Sequence, residues 1–276
     1  MNILITGSKG YIGKSLVEIL EKKYNIFELK NSSNYLSNKN IYNINLLDIK
    51  QIELFLKEDI SIDIIIHTAA KMAFSSNIDD LGLLYDNIKI YEHLVQIAKY
   101  AKVKKIINLS STAVYPNADA KYDEESIIKP SVNNDALYGL SKFCGENILD
   151  HLLKDFNTKI IHLRISQVYS DDLRDDRLYI MMKNELLKTN KITVYGNGER
   201  VSNFIHKDLL IKKIIFFIEK EYYGVFNIGD KNLSYKEFAD KIIKQFGNKD
   251  SEIKYITNGM KSRSIILLDK FNELVK

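Results

Sequence analysis

Thr6-Gly7-Ser8-Lys9-Gly10-Tyr11-Ile12-Gly13 is the stretch whose reading decides the fold. It follows Ile3–Thr6, an apolar run predicted as a buried strand. It opens Tyr11–Lys22, where Ile12, Leu16, Ile19 and Leu20 recur at helical spacing and predict one apolar face. Glycines spaced Gly-x-x-Gly-x-x-Gly suit a tight turn in which backbone approaches a pyrophosphate. The helix N-terminus behind the turn offers unpaired N–H groups and the positive end of a dipole. An incidental glycine-rich turn is the bland alternative, and its position at the first strand–helix junction argues against it. Gly13-Lys14-Ser15 also ends like a P-loop. That motif needs a glycine five residues before Gly13, where Ser8 stands and Gly7 comes one residue early.

Working outward, strand and helix patterns alternate. Asn25–Leu29 reads as strand, and Ile49–Lys57 as helix with Asp48 as N-cap. Asp63–His67 reads as strand, Asp79–Ala101 as a long helix and Val103–Leu109 as strand. Asp135–Lys154 is predicted helical and Lys159–Ile165 extended. Repeated βα units predict an α/β chain with a Rossmann-type, doubly wound parallel sheet. Beyond Arg164 the alternation loosens. Asp171–Arg177 reads as a charged loop, Arg177–Thr189 as helix, Tyr195-Gly196-Asn197-Gly198 as a turn, Lys207–Lys220 as helix and Gly224–Ile228 as a short strand. Ser234-Tyr235-Lys236-Glu237 is a capping box, and Gly247 falls at a helix C-cap. The expected organisation is a dinucleotide-binding domain over 1–165, with 203–230 returning to it, and a small C-terminal substrate-binding lobe over 166–276.

Composition narrows the class. With 276 residues, 45% of them hydrophobic, the chain can bury a sizeable core. The net charge of +4 comes from interspersed lysines and acids, which gives no case for a nucleic-acid partner. The single cysteine, Cys144, excludes an internal disulfide and suits a reducing compartment. The first residues show no charged leader pattern, and apolar runs such as Ile62 to Ala70 are too short to span a bilayer. A cytoplasmic protein without a membrane partner is expected. No metal is expected either, because His67 and His206 lie outside metal-ligand spacing. His67 is read as a packed core histidine, Cys144 as a buried small hydrophobe, and Phe216-Phe217-Ile218 as core. His206 is read as a substrate contact or simply the start of a helix.

The chemistry sits in Tyr138-Gly139-Leu140-Ser141-Lys142, where tyrosine and lysine share a helix face one turn apart. Asn108-Leu109-Ser110-Ser111-Thr112 ends a predicted strand, where sites of α/β sheets form. A tyrosine acts as a base near neutrality only if its pKa falls by about three units, or roughly 4 kcal/mol. An ammonium about 4 Å away at an effective dielectric near 20 supplies about that much. On its own, Tyr-x-x-x-Lys is also a common pattern on solvated helix faces. Its weight comes from following the glycine turn and the Ser-Ser-Thr strand end in this order.

With these motifs in sequence, the chain resembles the extended short-chain dehydrogenase/reductases, in particular the NAD(P)-dependent sugar nucleotide epimerase/dehydratase family. The resemblance covers nearly the whole chain. It implies cofactor contacts from Gly7, Lys9, Gly10, Tyr11, Ile12, Gly13, Lys30, Asn45, Leu46, Thr68, Ala69, Ala70, Asn87, Tyr138 and Lys142. It implies catalysis by Ser111, Tyr138 and Lys142, with substrate contacts from Ser111, Thr112, Gln167, Arg200 and Arg263. A diphosphate-binding arginine frequent in the family falls at Ser202 here, which leaves Arg200 or Arg263 as candidates for that contact. Tyr195–Asp208 resembles the family's substrate-lobe stretch, and Phe226-Asn227-Ile228-Gly229 another recurring segment. A homodimer pairing the helices around Asn87–Tyr100 and Asp135–Leu153 is implied as well.

Departures narrow the reaction. The family's dehydratases resemble Thr-Asp-Glu at the strand end, whereas Ser111-Thr112-Ala113 has no acid there. Members that epimerise C3 and C5 carry a cysteine and a histidine where this chain has Ala113 and Asp172. Set against the resemblance, a reduced substrate lobe is expected. The leading expectation is hydride reduction of a 4-keto sugar nucleotide. A C4 epimerase is the rival, and a catalytically silent cofactor sensor is the alternative of another class. NADP is favoured over NAD because the usual acidic position after the second strand falls at Lys30 or Asn31, with Lys9 nearby in the turn. Glu28 stands two residues too early to fill that position.

Overall fold

The computed structural model describes residues 1–175 and 177–276, so the predicted charged loop Asp171–Arg177 includes one residue, Asp176, outside the described ones. In chain order the first elements are β1 (Asn2–Thr6), α1 (Tyr11–Leu20), β2 (Asn25–Lys30), β3 (Leu36–Asn38), β4 (Ile41–Asn43), α2 (Ile49–Leu56), β5 (Ile64–His67), α3 (Leu81–Tyr100) and β6 (Lys105–Ser111). There follow β7 (Ala120–Tyr122), α4 (Ala136–Leu152), β8 (Lys159–Ile165), β9 (Gln167–Tyr169), α5 (Leu178–Thr189), β10 (Lys191–Tyr195), β11 (Val201–His206) and α6 (Lys207–Glu219). The last are β12 (Gly224–Ile228), β13 (Lys231–Ser234), α7 (Tyr235–Phe246), β14 (Glu252–Ile256), β15 (Ser264–Ile266) and α8 (Asp269–Leu274).

Two compact units divide the chain. The first comprises residues 1–115, 128–164 and 211–226; the second comprises 116–127, 165–210 and 227–276. This differs from the expected division at segments 116–127, 203–210 and 227–230, the first two for a pairing reason. Segment 116–127 joins the second unit because β7 pairs with β15. Residues 203–210 stay there too, because β11 lies between β13 and β9, so only 211–226 returns to the first unit.

The large sheet has the order β12-β8-β6-β5-β1-β2-β4-β3 and is parallel from β6 through β4. Strands β1, β5 and β6 are buried over nearly their whole length, as strands covered on both faces must be, and their Ile- and Leu-rich sequences reflect that. Leu4, Ile65 and Ile106 pack with Leu94, Ile97 and Leu149 of α3 and α4 in one core cluster. The helix starts follow the sequence. Asp48 caps α2 by accepting from Lys50 N, and Asp80 caps α3 by accepting from Gly82 N. Lys105, buried in β6, donates to the carbonyl of Lys220 at 2.9 Å and to those of Ile218 and Phe217 at 3.3 and 3.4 Å. It thereby satisfies the C-terminal carbonyls of α6.

Some expectations need correction. Ile19 is 45% exposed: α1 buries Gly13, Leu16 and Leu20, and Ile19 falls on the flank of that stripe. Cys144 is half-buried rather than buried. Phe217 and Ile218 are core, but Phe216 is half-buried. The capping box at Ser234 forms in full. Gly247 does occupy the C-cap of α7, yet its φ of −86° is not left-handed. Its need for glycine is spatial, since a Cβ would lie 2.7 Å from the Ile243 carbonyl oxygen. The β3–β4 hairpin and the parallel β10–β14 pair have no counterpart in the sequence pattern.

Candidate active site

The glycine turn has the geometry its spacing requires. Gly7 adopts φ +67°, and a Cβ there would lie 2.9 Å from the Ala69 backbone. Gly10 N donates to Gly7 O at 2.8 Å, and a Cβ on Gly13 would meet that same oxygen at 2.3 Å. The three glycines therefore fold β1 tightly into α1, and the first-turn N–H groups of α1, from Tyr11 to Gly13, lie at its mouth. Ser8 anchors the turn through Oγ to Leu29 O at 3.3 Å. Thr68 Oγ1 donates to Thr6 O at 2.7 Å, and Thr6 Oγ1 accepts from Ala69 N at 3.3 Å, so β5 runs into the turn's other wall. Thr68, Ala69 and Ala70 are half-buried there. These residues fit a dinucleotide: a cradle that any Cβ would fill, backed by a helix N-terminus.

Other expected cofactor residues have more specific duties. Asn87 is buried and committed to the protein. Its Oδ1 accepts from Lys71 N at 2.8 Å, and its Nδ2 donates to Lys71 O at 3.0 Å and Ser141 Oγ at 3.1 Å. Asn87 thereby ties the segment after β5 to α4. Asn45 Oδ1 accepts from Leu47 N, which leaves its amide as the group that can donate. Leu46 is buried. Lys9 is exposed in the turn, whereas Lys30 is paired with Glu28 at 3.2 Å, so its ammonium is not a lone cation.

Ser111, Tyr138 and Lys142 come from adjoining elements. Ser111 ends β6 and caps the 3-10 turn 112–114, its Oγ accepting from Ala113 N at 3.1 Å; its hydroxyl hydrogen can still donate. Thr112 is the first residue of that turn. The N-terminal turn of α4 presses on the same turn, because a Cβ on Gly139 would stand 2.1 Å from Ala113 O. Lys142 is buried, with Nζ donating to Leu109 O at 2.7 Å. That Nζ lies 5.7 Å from the Tyr138 ring centre and 5.8 Å from that of Tyr91. Burial pushes the Lys142 ammonium down to about 8, against Glu146, which raises it. Tyr138 Oη lies 3.6 Å from Met72 Sδ.

Sequence reasoning misses several residues of the site. Tyr91 packs beside Lys142, is raised by burial, and donates to Asn108 Oδ1 at 3.1 Å. It reaches α4 only because residue 145 is glycine: a Cβ there would lie 2.1 Å from its ring. His67 is a core histidine, as expected. Its Nδ1 pairs with Thr6 Oγ1 at 2.8 Å, and burial, then Lys142, hold it well below its ordinary pKa. Glu146 and Arg164 form a buried pair at 2.8 Å. The signal for them is present in the sequence, since Arg164 stands between Leu163 and Ile165 in a predicted strand and a buried charge demands a partner.

Four of the residues singled out in the sequence lie in the second unit. Gln167 is exposed at the start of β9. Arg200 lies over the Tyr235 ring at 5.1 Å. Arg263 is exposed, its N donating to Asp119 Oδ1 at 2.6 Å, and it forms a parallel bridge with Val201, the neighbour of Arg200. His206 ends β11 with its ring edge-on to Tyr169 at 5.3 Å. Among the described residues no three His, Cys, Asp or Glu side chains gather as a metal site, and no helix is long and apolar enough to cross a membrane.

Comparison with known proteins places this geometry. The NAD dependent epimerase/dehydratase family matches residues 3–229. The chain belongs to that family. Its curated relatives include a dTDP-D-glucose 4,6-dehydratase of Dictyostelium discoideum, 29% identical over 272 residues, covering 87% of this chain and 61% of the relative. This chain thus spans less than two thirds of that relative's length. A dTDP-4-dehydro-6-deoxyglucose reductase of Escherichia coli is 29% identical over 261 residues, covering 87% of this chain and 80% of the relative. The fold is shared with UDP-glucuronic acid 4-epimerase from Bacillus cereus, solved with UDP-glucuronic acid and NAD. That match has a TM-score of 0.81 and 22% identity over 99% of this chain and 92% of the other. Family members thus include dehydratases, epimerases and reductases on one α/β frame.

Gly145→Ala is expected to drive the new methyl into the Tyr91 ring, costing about 1–3 kcal/mol of stability. Denaturant unfolding reads the loss, and a variant as stable as the parent would show that the ring can move away freely.

Proposed function

We propose that this chain reduces a 4-keto sugar nucleotide by hydride transfer. The observation that carries the reading is the buried Lys142, 5.7 Å from the Tyr138 ring, next to a strand end without the acids a dehydratase uses. The 29% identical reductase supports it, since this chain covers most of its length. The nicotinamide supplies the hydride when bound. Tyr138 donates its proton to the carbonyl oxygen, and Ser111 donates a hydrogen bond to that oxygen. Lys142 stabilises the phenolate left on Tyr138. Arg200 and Arg263 are assigned to the diphosphate, with Gln167 and Thr112 near the sugar. A C4 epimerase would use the same residues, and it would convert its substrate without added reductant.

The reading includes NADP as preferred cofactor, with Lys9 and Lys30 meeting the 2′-phosphate and Glu28 releasing Lys30 to it. It also includes a homodimer through α3 and α4, whose exposed Tyr85, Tyr100 and Leu152 supply apolar surface. Light scattering at micromolar concentration is expected to give twice the chain mass, and a monomer mass would remove this part.

Tyr138→Phe is expected to lower kcat by at least about 100-fold while cofactor affinity persists, because only the phenolic proton is lost. Lys142→Met is expected to damage rate and cofactor binding together. Retention of most of kcat in Tyr138→Phe, measured on a panel of 4-keto sugar nucleotides, would reject the acid/base assignment. For the cofactor, fluorescence titration is expected to give a lower Kd for NADPH than for NADH, with the difference abolished in Lys9→Ala/Lys30→Ala. Equal affinities in the parent protein would reject the preference.

A further inference from the structure

Glu146 stands one helical turn beyond Lys142 on α4, buried, and three hydrogen bonds hold its carboxylate. Ser110 Oγ donates to Oε1 at 2.5 Å, Arg164 Nε to Oε1 at 3.1 Å, and a terminal Arg164 nitrogen to Oε2 at 2.8 Å. The other terminal nitrogen of Arg164 donates to Tyr115 Oη at 2.9 Å. Desolvating such a pair is costly, and well-packed apolar residues of the same volume are often equally stable, so stability alone does not account for it. Its location does. Ser110 lies between Leu109, whose carbonyl takes Lys142 Nζ, and the reactive Ser111.

Groups from four elements face Lys142. Tyr138 and Glu146 are on α4, Tyr91 is on α3, His67 is on β5 and the Leu109 carbonyl is on β6. Arg164 on β8 and Tyr115 act through Glu146. His67 and Tyr91 are both kept neutral by burial, which leaves Glu146 as the anion of this set. We propose that Glu146 is a positioning residue that holds Lys142 in its ammonium form, and that Arg164 sets the strength of that hold by offsetting part of the carboxylate's field. The proposal rests on the reading of Lys142 as the catalytic lysine.

The two halves of the pair then act in opposite directions. Glu146→Gln removes the anion, so the ammonium gives up its proton at lower pH. Arg164→Met removes the offsetting cation, so the ammonium persists to higher pH. The test is an NMR titration of the unliganded protein carrying 13C at lysine Cε, with the Lys142 signal assigned by its absence in Lys142→Met. The expected midpoint moves down by about one pH unit in Glu146→Gln and up by a smaller amount in Arg164→Met, whose charge offsets only part of the carboxylate's field. The alkaline limb of kcat, measured on the reduction, is expected to follow the same two directions. A clamp that only supports the fold would lower thermal stability in both variants and leave the midpoint in place, or move it the same way in both; either result overturns the proposal. If a single variant does not fold by circular dichroism, the Glu146→Gln/Arg164→Met double variant removes both charges and decides instead. A midpoint below the parent's supports the proposal, and an unchanged one overturns it. Because the titration needs no turnover, opposite shifts in a protein that reduces no keto sugar would reject the proposed function alone.

Discussion

The site depends on how closely α4 approaches its neighbours. Two positions on that helix tolerate no side chain: residue 139 against the Ala113 carbonyl and residue 145 against the Tyr91 ring, each with a hypothetical Cβ at 2.1 Å. The first contact sets Tyr138 beside the turn that Ser111 caps. The second closes an aromatic wall around the Lys142 ammonium, which cannot then be solvated and turns to the Leu109 carbonyl. Backbone proximity therefore precedes the chemistry. The depressed lysine follows from burial, and burial follows from two glycines on a helix that otherwise has no need of them.

The same logic holds at the glycine turn. Gly7, Gly10 and Gly13 converge on a single carbonyl, Gly7 O, which is why their spacing alone reads as a turn. The α4 pair is readable too, because a 3.6-residue repeat puts Tyr138 and Lys142 on one face. Motifs of this kind are local, and local sequence states them directly.

What is not readable is set by topology or lies too close to solvent to leave a pattern. β3 and β4 are three residues each, and β3 is wholly exposed, so no alternation marks them. β10 and β14 pair across a long stretch of intervening chain that holds two α-helices and three strands. Asn87 bonds to the backbone at Lys71, sixteen residues earlier, only because the segment after β5 lies against α3. Glu146 and Arg164 are eighteen residues apart, and only the packing of α4 across β8 makes them partners. Glu28 falls two residues short of the usual acidic position, yet it meets Lys30 because residues i and i+2 of a strand share a face.

Deuterium transfer tests most directly whether this arrangement carries out hydride reduction. The protein is incubated with a 4-keto sugar nucleotide and reduced nicotinamide adenine dinucleotide phosphate carrying deuterium at both C4 positions, and the product is read by NMR. One deuterium at sugar C4, lost in Tyr138→Phe, is the predicted result. A product formed without deuterium at that carbon, or transfer undiminished without the tyrosine hydroxyl, would contradict it.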